Sequence, residues 1–174
     1  MRKVVDLDTH RLALRKLCPD DALFVLELLN EPSFLQHIGD RGVRTVEDAR
    51  RYIQTVPMAS YARFGFGLYR VEPKEGGAPM GICGLVKRDT LKDVDLGFAF
   101  LPRFWSKGYA FESASAVLAH ARSRLGLKRI VAIVSPGNAP SVGLLEKLGF
   151  RLEGMTRLSD DAPEVQLFGL ALSA

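Results

Sequence analysis

A chain of 174 residues suits one domain with a substantial core, and 47% apolar against 25% charged residues marks a soluble globular protein rather than a disordered one. No apolar run reaches the roughly 18–20 residues that span a bilayer, which argues against a membrane partner. The net charge of +4 is mild and spread along the chain, so nucleic acid is not expected as a partner, whereas an anionic small molecule would suit a basic mouth.

The opening Met1–Asp6 lacks the apolar centre of a secretory signal. Thr9–Leu17 alternates apolar and polar residues and reads as a half-exposed strand. Cys18 and Cys83 form neither a C-x-x-C pair nor a disulfide framework, so both read as buried free thiols of a cytoplasmic protein. His10, His37 and His120 lack metal-ligand spacing, and no metal is expected. Pro19-Asp-Asp opens a helix with Ala22, Val25, Leu26 and Leu29 on one face, and Pro32 ends the pattern. Ser33–Arg44, with Gly39 and Gly42, reads as a loop. Thr45-Val-Glu-Asp48 is a capping box that starts a helix to about Val56. This region carries Phe34, His37, Tyr52 and Tyr61 together with Arg41, Arg44, Arg50, Arg51 and Arg63. Two readings stand for it, a substrate groove and an ordinary solvated face.

Phe64–Val71 reads as a strand, Pro73–Pro79 as a hairpin loop, and Met80–Lys87 as the returning strand. After a turn at Asp89–Asp93, the apolar run Val94–Leu101 leads into Leu101–Phe111 and then a helix from Tyr109 to about Leu125. A strand that opens through a short turn into a helix leaves the first four helical N–H groups without intrahelical partners. Those donors and the positive helix end favour an anion. Gly108, with no Cβ, lets a large ligand approach the backbone, and Lys107 and Arg103 add positive charge. The stretch reads either as a pyrophosphate cradle or as a plain strand-to-helix turn. Phe111, Ala114, Leu118, Ala121 and Leu125 recur at helical spacing as a core face, and Gly126 stops the helix. The strand Ile130–Val134 completes a strand–helix–strand unit, which implies a parallel pair with ligand at the strands' carboxyl ends. Asn138 is a helix cap with Pro140 in the first turn, and Leu144, Leu145 and Leu148 face inward. Phe150–Gly154 and Glu164–Leu172 read as final strands. With no repeat and no linker, residues 1–174 form a single domain of α/β class.

Phe104-Trp-Ser-Lys-Gly-Tyr-Ala-Phe-Glu112 and Asn138-Ala-Pro-Ser-Val-Gly-Leu-Leu-Glu-Lys-Leu-Gly-Phe150 together resemble the GNAT family of acetyl-CoA-dependent N-acetyltransferases. Thr9-His-Arg-Leu-Ala-Leu-Arg15 followed by Pro19-Asp-Asp-Ala22 is similar to the branch that acetylates N-terminal serine or alanine of ribosomal proteins. The resemblance implies a mixed central sheet of about seven strands splayed at the acetyl-CoA site, flanked by about four helices. The family's pyrophosphate loop, Gln/Arg-x-x-Gly-x-Gly/Ala, matches at Gly108-Tyr109-Ala110, with Trp105 at its first position and Ser106 where glycine is common. By resemblance the cofactor-binding set is Phe98, Phe100, Trp105, Ser106, Lys107, Gly108, Tyr109, Ala110, Phe111 and Asn138, with the backbone at Phe98 and Phe100 pairing with the pantetheine arm.

The implied reaction is direct attack of an amine on the thioester, without a covalent enzyme intermediate. An α-amine, with a reference pKa of about 7.7–8, needs less help from a base than lysine at about 10.4. Asp95 is the one carboxylate within the apolar run 94–101 and is the candidate base; the plain alternative is a solvent-facing aspartate at the strand's start. Ser141 matches the serine that this branch carries three residues after the asparagine, which the resemblance makes a proton donor to the departing thiolate; the plain alternative is a first-turn helix residue. Leu145 stands where many relatives carry a tyrosine. Three functions fit: acetylation of an N-terminal or small-molecule amine, detoxification of an antibiotic or polyamine, and acetyl-CoA sensing without turnover. The arginines at 41–63 favour acidic peptides or acidic small molecules over polyamines. The apolar strand 164–172 is a candidate for pairing across a homodimer.

Overall fold

The computed structural model describes residues 4–173; Met1–Lys3, on which part of the signal reading rests, and Ala174 lie outside the described residues. Extended runs form β1 (Leu7–Asp8), β2 (Leu12–Lys16), β3 (Leu68–Pro73), β4 (Gly81–Val86), β5 (Asp95–Phe100), β6 (Arg129–Val134), β7 (Arg151–Thr156) and β8 (Val165–Ala171). The helices are α1 (Ala22–Leu29), α2 (Pro32–His37), α3 (Val46–Thr55), α4 (Pro57–Phe64), α5 (Tyr109–Ser123) and α6 (Ala139–Lys147). All strands join one sheet in the order β1-β2-β3-β4-β5-β6-β8-β7. Every neighbouring pair is antiparallel except β5 and β6, so the mixed α/β class expected from the sequence holds.

The described residues contain eight strands and six α-helices, more than the seven and four expected. The extra helices trace to two prolines. Pro32 was expected to end a helix and Pro57 carried no reading, but each sits at the first turn of a new helix, where its missing N–H would have had no partner anyway. Gly65, in the left-handed region at φ 76°, closes α4. The extra helix displaces the start of β3 from Phe64 to Leu68.

Alternation along β4 distributes the core to both faces of the sheet. Cys83 and Leu85 pack with Ala114, Val117, Leu118 and Ala121 of α5. Ile82 packs the other way, with Val25, Leu28 and Leu29 of α1 and Ile53 of α3. Phe111 leaves the expected core face of α5 and is 42% exposed. Cys18 is half-buried and Cys83 buried, and both are free.

The expected half-exposed strand near the N-terminus is instead buried along β2 except at its last residue. Arg15 is 3% exposed, and its guanidinium donates to both carboxylate oxygens of Asp21, at 2.7 and 3.0 Å. Arg70 adds a bond to Asp21 at 2.6 Å. Burial pushes the Asp21 carboxyl up, but Arg15, the Cys18 N–H and Arg70 together hold it below the usual range. Asp21→Asn removes the nearest counter-charge of a buried guanidinium and leaves it only Glu72 at 3.5 Å, and a loss of about 3 kcal/mol in denaturant unfolding is expected.

Candidate active site

The site begins where β5 and β6 part. They share one register pair, Asp95 with Val131, and the Val131 N–H donates to the Val94 carbonyl at 3.0 Å. Beyond that point the strands diverge. On its other side β5 remains paired to β4 from Val86–Asp95 to Gly81–Phe100. The Leu101 N–H also points to β4, onto the Met80 carbonyl. Backbone groups alternate sides along a strand, so Leu96, Phe98 and Phe100 turn theirs into the gap. A cavity of about 770 Å³ fills the opening, walled by β5 and β6 and by residues of α2, α3, α5 and α6. The Ser135 hydroxyl donates to the His37 carbonyl at 2.5 Å and ties the end of β6 to the end of α2 across the opening.

The loop at 101–108 closes one end. The Trp105 indole N–H donates to the Phe100 carbonyl at 2.7 Å, which staples the loop to the last residue of β5. Ser106, at φ 60°, is the one non-glycine with positive φ among the described residues, and Gly108 follows at φ 80°. Left-handed backbone at Ser106 and again at Gly108 is the kind of turn whose successive N–H groups form anion-binding concavities. Gly108 caps α5 without any side-chain bond, so its first-turn donors face outward unclaimed by a cap. Arg11, just before β2, braces the same end: its guanidinium lies over the Tyr109 ring at 4.6 Å and pairs with Glu112 at 3.2 Å.

At the seam of the divergence sits Asp95, 1% exposed. Arg88 Nε donates to its Oδ2 at 2.7 Å, while Oδ1 is buried with no hydrogen-bond partner. Burial pushes the Asp95 carboxyl up, and the charges of Arg88 and Lys87 oppose it only in part. The solvent-facing alternative for Asp95 is therefore excluded. On the facing wall, Asn138 caps α6, its Oδ1 accepting from the Ser141 N–H at 3.4 Å. Ser141 is half-buried and lines the cavity.

Of the residues singled out from the sequence, Asp95, Phe98, Phe100, Trp105, Ser106, Gly108, Tyr109, Ala110, Phe111, Asn138 and Ser141 all line this one cavity. Lys107 is exposed and off its wall, and Arg103 pairs with Glu27 at 2.8 Å. Phe34, His37 and Tyr52 also line it, as a groove reading requires. Tyr61 does not; its hydroxyl donates to the Leu68 carbonyl and accepts from the Leu17 N–H, inside the fold. Arg88 and Arg11 went unnoticed in the sequence, because nothing local ties Arg88 to a carboxylate seven residues on or Arg11 to a helix about a hundred residues away. The β8 edge is closed to a dimer partner, since β6 and β7 flank it. Among the described residues no helix is long and apolar enough to cross a membrane, and no group of three or more His, Cys, Asp or Glu is placed to hold a metal.

Known proteins share this fold. The chain is 31% identical over 153 residues to a Bacillus subtilis protein named as an uncharacterized N-acetyltransferase, YoaA, covering 87% of this chain and 85% of that one. An acetyltransferase from Agrobacterium tumefaciens superposes with a TM-score of 0.81 at 24% identity, covering 98% and 96% of the two chains. RimL, a ribosomal alpha-N-protein acetyltransferase solved in complex with coenzyme A, superposes with a TM-score of 0.82 at 18% identity over 98% of each chain, which speaks to fold alone. The acetyltransferase (GNAT) domain family matches residues 11–151. That match runs from Arg11 beneath the α5 cradle to the first residue of β7 and takes in both walls of the cavity, and the chain belongs to the GNAT family of N-acetyltransferases.

Proposed function

We propose that a single domain spanning residues 1–174 binds acetyl-CoA in the β5–β6 opening and directs its acetyl group to a primary amine, with a protein N-terminal α-amine as the favoured acceptor. One observation carries this reading: the open backbone edge of β5 leads straight into the left-handed turn at Ser106–Gly108 and the uncapped N-terminus of α5. An extended arm suits the first, and a pyrophosphate suits the second. Acetyl-CoA supplies the activated acyl group, a thioester.

The residues of this chain divide the remaining work. The N–H groups of Phe98 and Phe100 are aimed into the gap, where one can polarise a carbonyl. Ser106, Gly108, Tyr109, Ala110 and Phe111 offer main-chain donors to phosphate, with Trp105 holding their loop in register. Asn138 caps α6 through its oxygen and keeps its amide N–H groups for the arm. Asp95 takes the proton from the acceptor nitrogen, directly or through water, and its unpartnered Oδ1 is the receiving atom. Ser141 donates its hydroxyl proton to the departing sulfur. Holding amine and thioester together supplies several kcal/mol more through orientation.

The test combines protein, acetyl-CoA and a panel of peptides, amino acids and polyamines, reading free thiol and product mass. Thiol release with an acetylated N-terminus supports the reading; tight acetyl-CoA binding with no thiol from any amine leaves a sensor. Ser141→Ala should lower kcat about tenfold or more at saturating acetyl-CoA, because the variant keeps the backbone N–H that Asn138 caps but loses the acid. Undiminished turnover would remove Ser141 from the mechanism. Two free cysteines suit the reducing cytoplasm, which is our proposed location. For a homodimer the available edge at this end of the sheet is β7, whose Leu152 and Met155 are 55% and 49% exposed.

A further inference from the structure

We propose that the acceptor carries a carboxylate close to its reactive amine, and that Arg41 and Arg88 form the subsite for it. The inference rests on the transferase reading above and names its substrate class.

Five arginines between positions 41 and 63 suggested an acidic partner without saying which of them matter. The fold separates them. Arg44 pairs with Asp40 at 2.5 Å, Arg50 with Glu47 at 3.3 Å and Arg51 with Asp48 at 3.6 Å, all on the protein's outer surface. Arg63 lies over the Phe64 ring at 4.9 Å and borders a smaller hollow beside α4. Arg41 is the one member of the set that lines the large cavity, and among the described residues no carboxylate lies within ion-pair distance of it.

Arg88 joins it from the β4–β5 turn. Its Nε is committed to Asp95, but its terminal nitrogens make no hydrogen bond among the described residues. Tyr52 of α3 lines the same cavity; burial pushes its phenol up, and Arg41 and Arg88 act against that. Two guanidinium forks and a phenol on the wall of one cavity match an incoming carboxylate, which accepts from several donors at once. Because Arg88 holds Asp95, that carboxylate would sit only a few bonds from an amine on Asp95 Oδ1. Glu31 also borders the cavity, yet it pairs with neither arginine. A polyamine would set its second ammonium against the unpaired Arg41 guanidinium, which disfavours it.

The carboxylate has two sources, the terminal group of a free amino acid or an acidic side chain at the second position of a peptide. Two matched pairs distinguish them: serine against serinamide, and a peptide beginning Ser-Glu against one beginning Ser-Gln. In at least one pair the charged member should show kcat/KM higher by about tenfold or more. Arg41→Gln should bring that ratio close to one through the KM of the charged acceptor, Arg41→Lys should restore part of it, and Arg44→Gln should leave it in place. Equal kcat/KM within both pairs, or a preference that survives Arg41→Gln, overturns the subsite while the transferase stands. Acetyl-CoA binding by calorimetry with no acceptor acetylated overturns the transferase reading, and this inference with it.

Discussion

Gly108→Val should abolish measurable acetyl-CoA binding, whereas Lys107→Ala should raise the acetyl-CoA KM only two- to threefold, roughly the worth of one exposed charge. Gly108 sits at φ 80°, where a β-branched residue pays a steric cost of about 1–2 kcal/mol. A Cβ there would also stand 3.3 Å from an Arg11 guanidinium nitrogen, inside normal contact distance. If the loop relaxes to avoid both, the donors of Ser106 through Phe111 no longer converge. Each hydrogen bond to a charged group is worth about 1.5–3 kcal/mol, so losing two costs on the order of a hundredfold or more. Lys107 is exposed and lies off the cavity wall, so its charge is largely screened. Calorimetric titration of both variants checks the contrast. Equal losses would mean that side-chain charge, not the backbone, holds the phosphates.

Asp95→Asn carries the second large effect: kcat/KM should fall by about 10² or more. The wild-type pH–rate profile should show an acidic limb above the ordinary aspartate range of about 3.9, and the variant should lose it. The direction follows from burial, which pushes the carboxyl up more than Arg88 and Lys87 pull it down. A base works only when ionised, so the rate climbs as pH rises through that elevated value. Stability moves the other way. A group whose folded pKa exceeds its unfolded pKa contributes stability below the unfolded value and loses it as pH rises through the folded value. At neutral pH the ionised Asp95 is therefore a cost, and Asn should leave Tm unchanged or higher while activity collapses. A fall in both together would make Asp95 merely the structural partner of Arg88. Arg88 is 29% exposed at its side chain, so water can solvate it once the pair is broken.

The local signals in the sequence reached the parts of the site built from consecutive residues. The turn at Leu101–Phe111, the α5 start and the Asn138 cap each depend on a few neighbours in the chain, and all appear where expected. Local signals failed where one residue type serves opposite ends of a helix. Pro32 reads as a stop, but a proline that stops one helix also suits the first turn of the next, as Pro32 and Pro57 both do, and only the packing of α2 and α4 distinguishes these roles.

Charge was the least legible property. Arg15 occupies a position in β2 where alternation predicts solvent, yet Asp21 and Arg70 enclose it. Arg41 looked no different from Arg44, Arg50 or Arg51, whose carboxylates lie within four residues along the chain. Asp95 had two readings, because an acid at a strand's start is usually wet. The pairing of β5 with β6 at one register position buries it at the seam.

The sequence by itself determined the family, through its resemblance at two motifs, together with the sheet-and-helix class and the turn from β5 into α5, which rest on residues adjacent in the chain whose dihedral and capping preferences are local. Only the tertiary structure decided that β5 and β6 part just beyond Asp95, that Arg88 holds one of its oxygens and leaves the other free, and that Arg41 alone among its neighbours faces the cavity. Burial and long-range pairing make those choices, and neither is encoded within a few residues of the groups they govern.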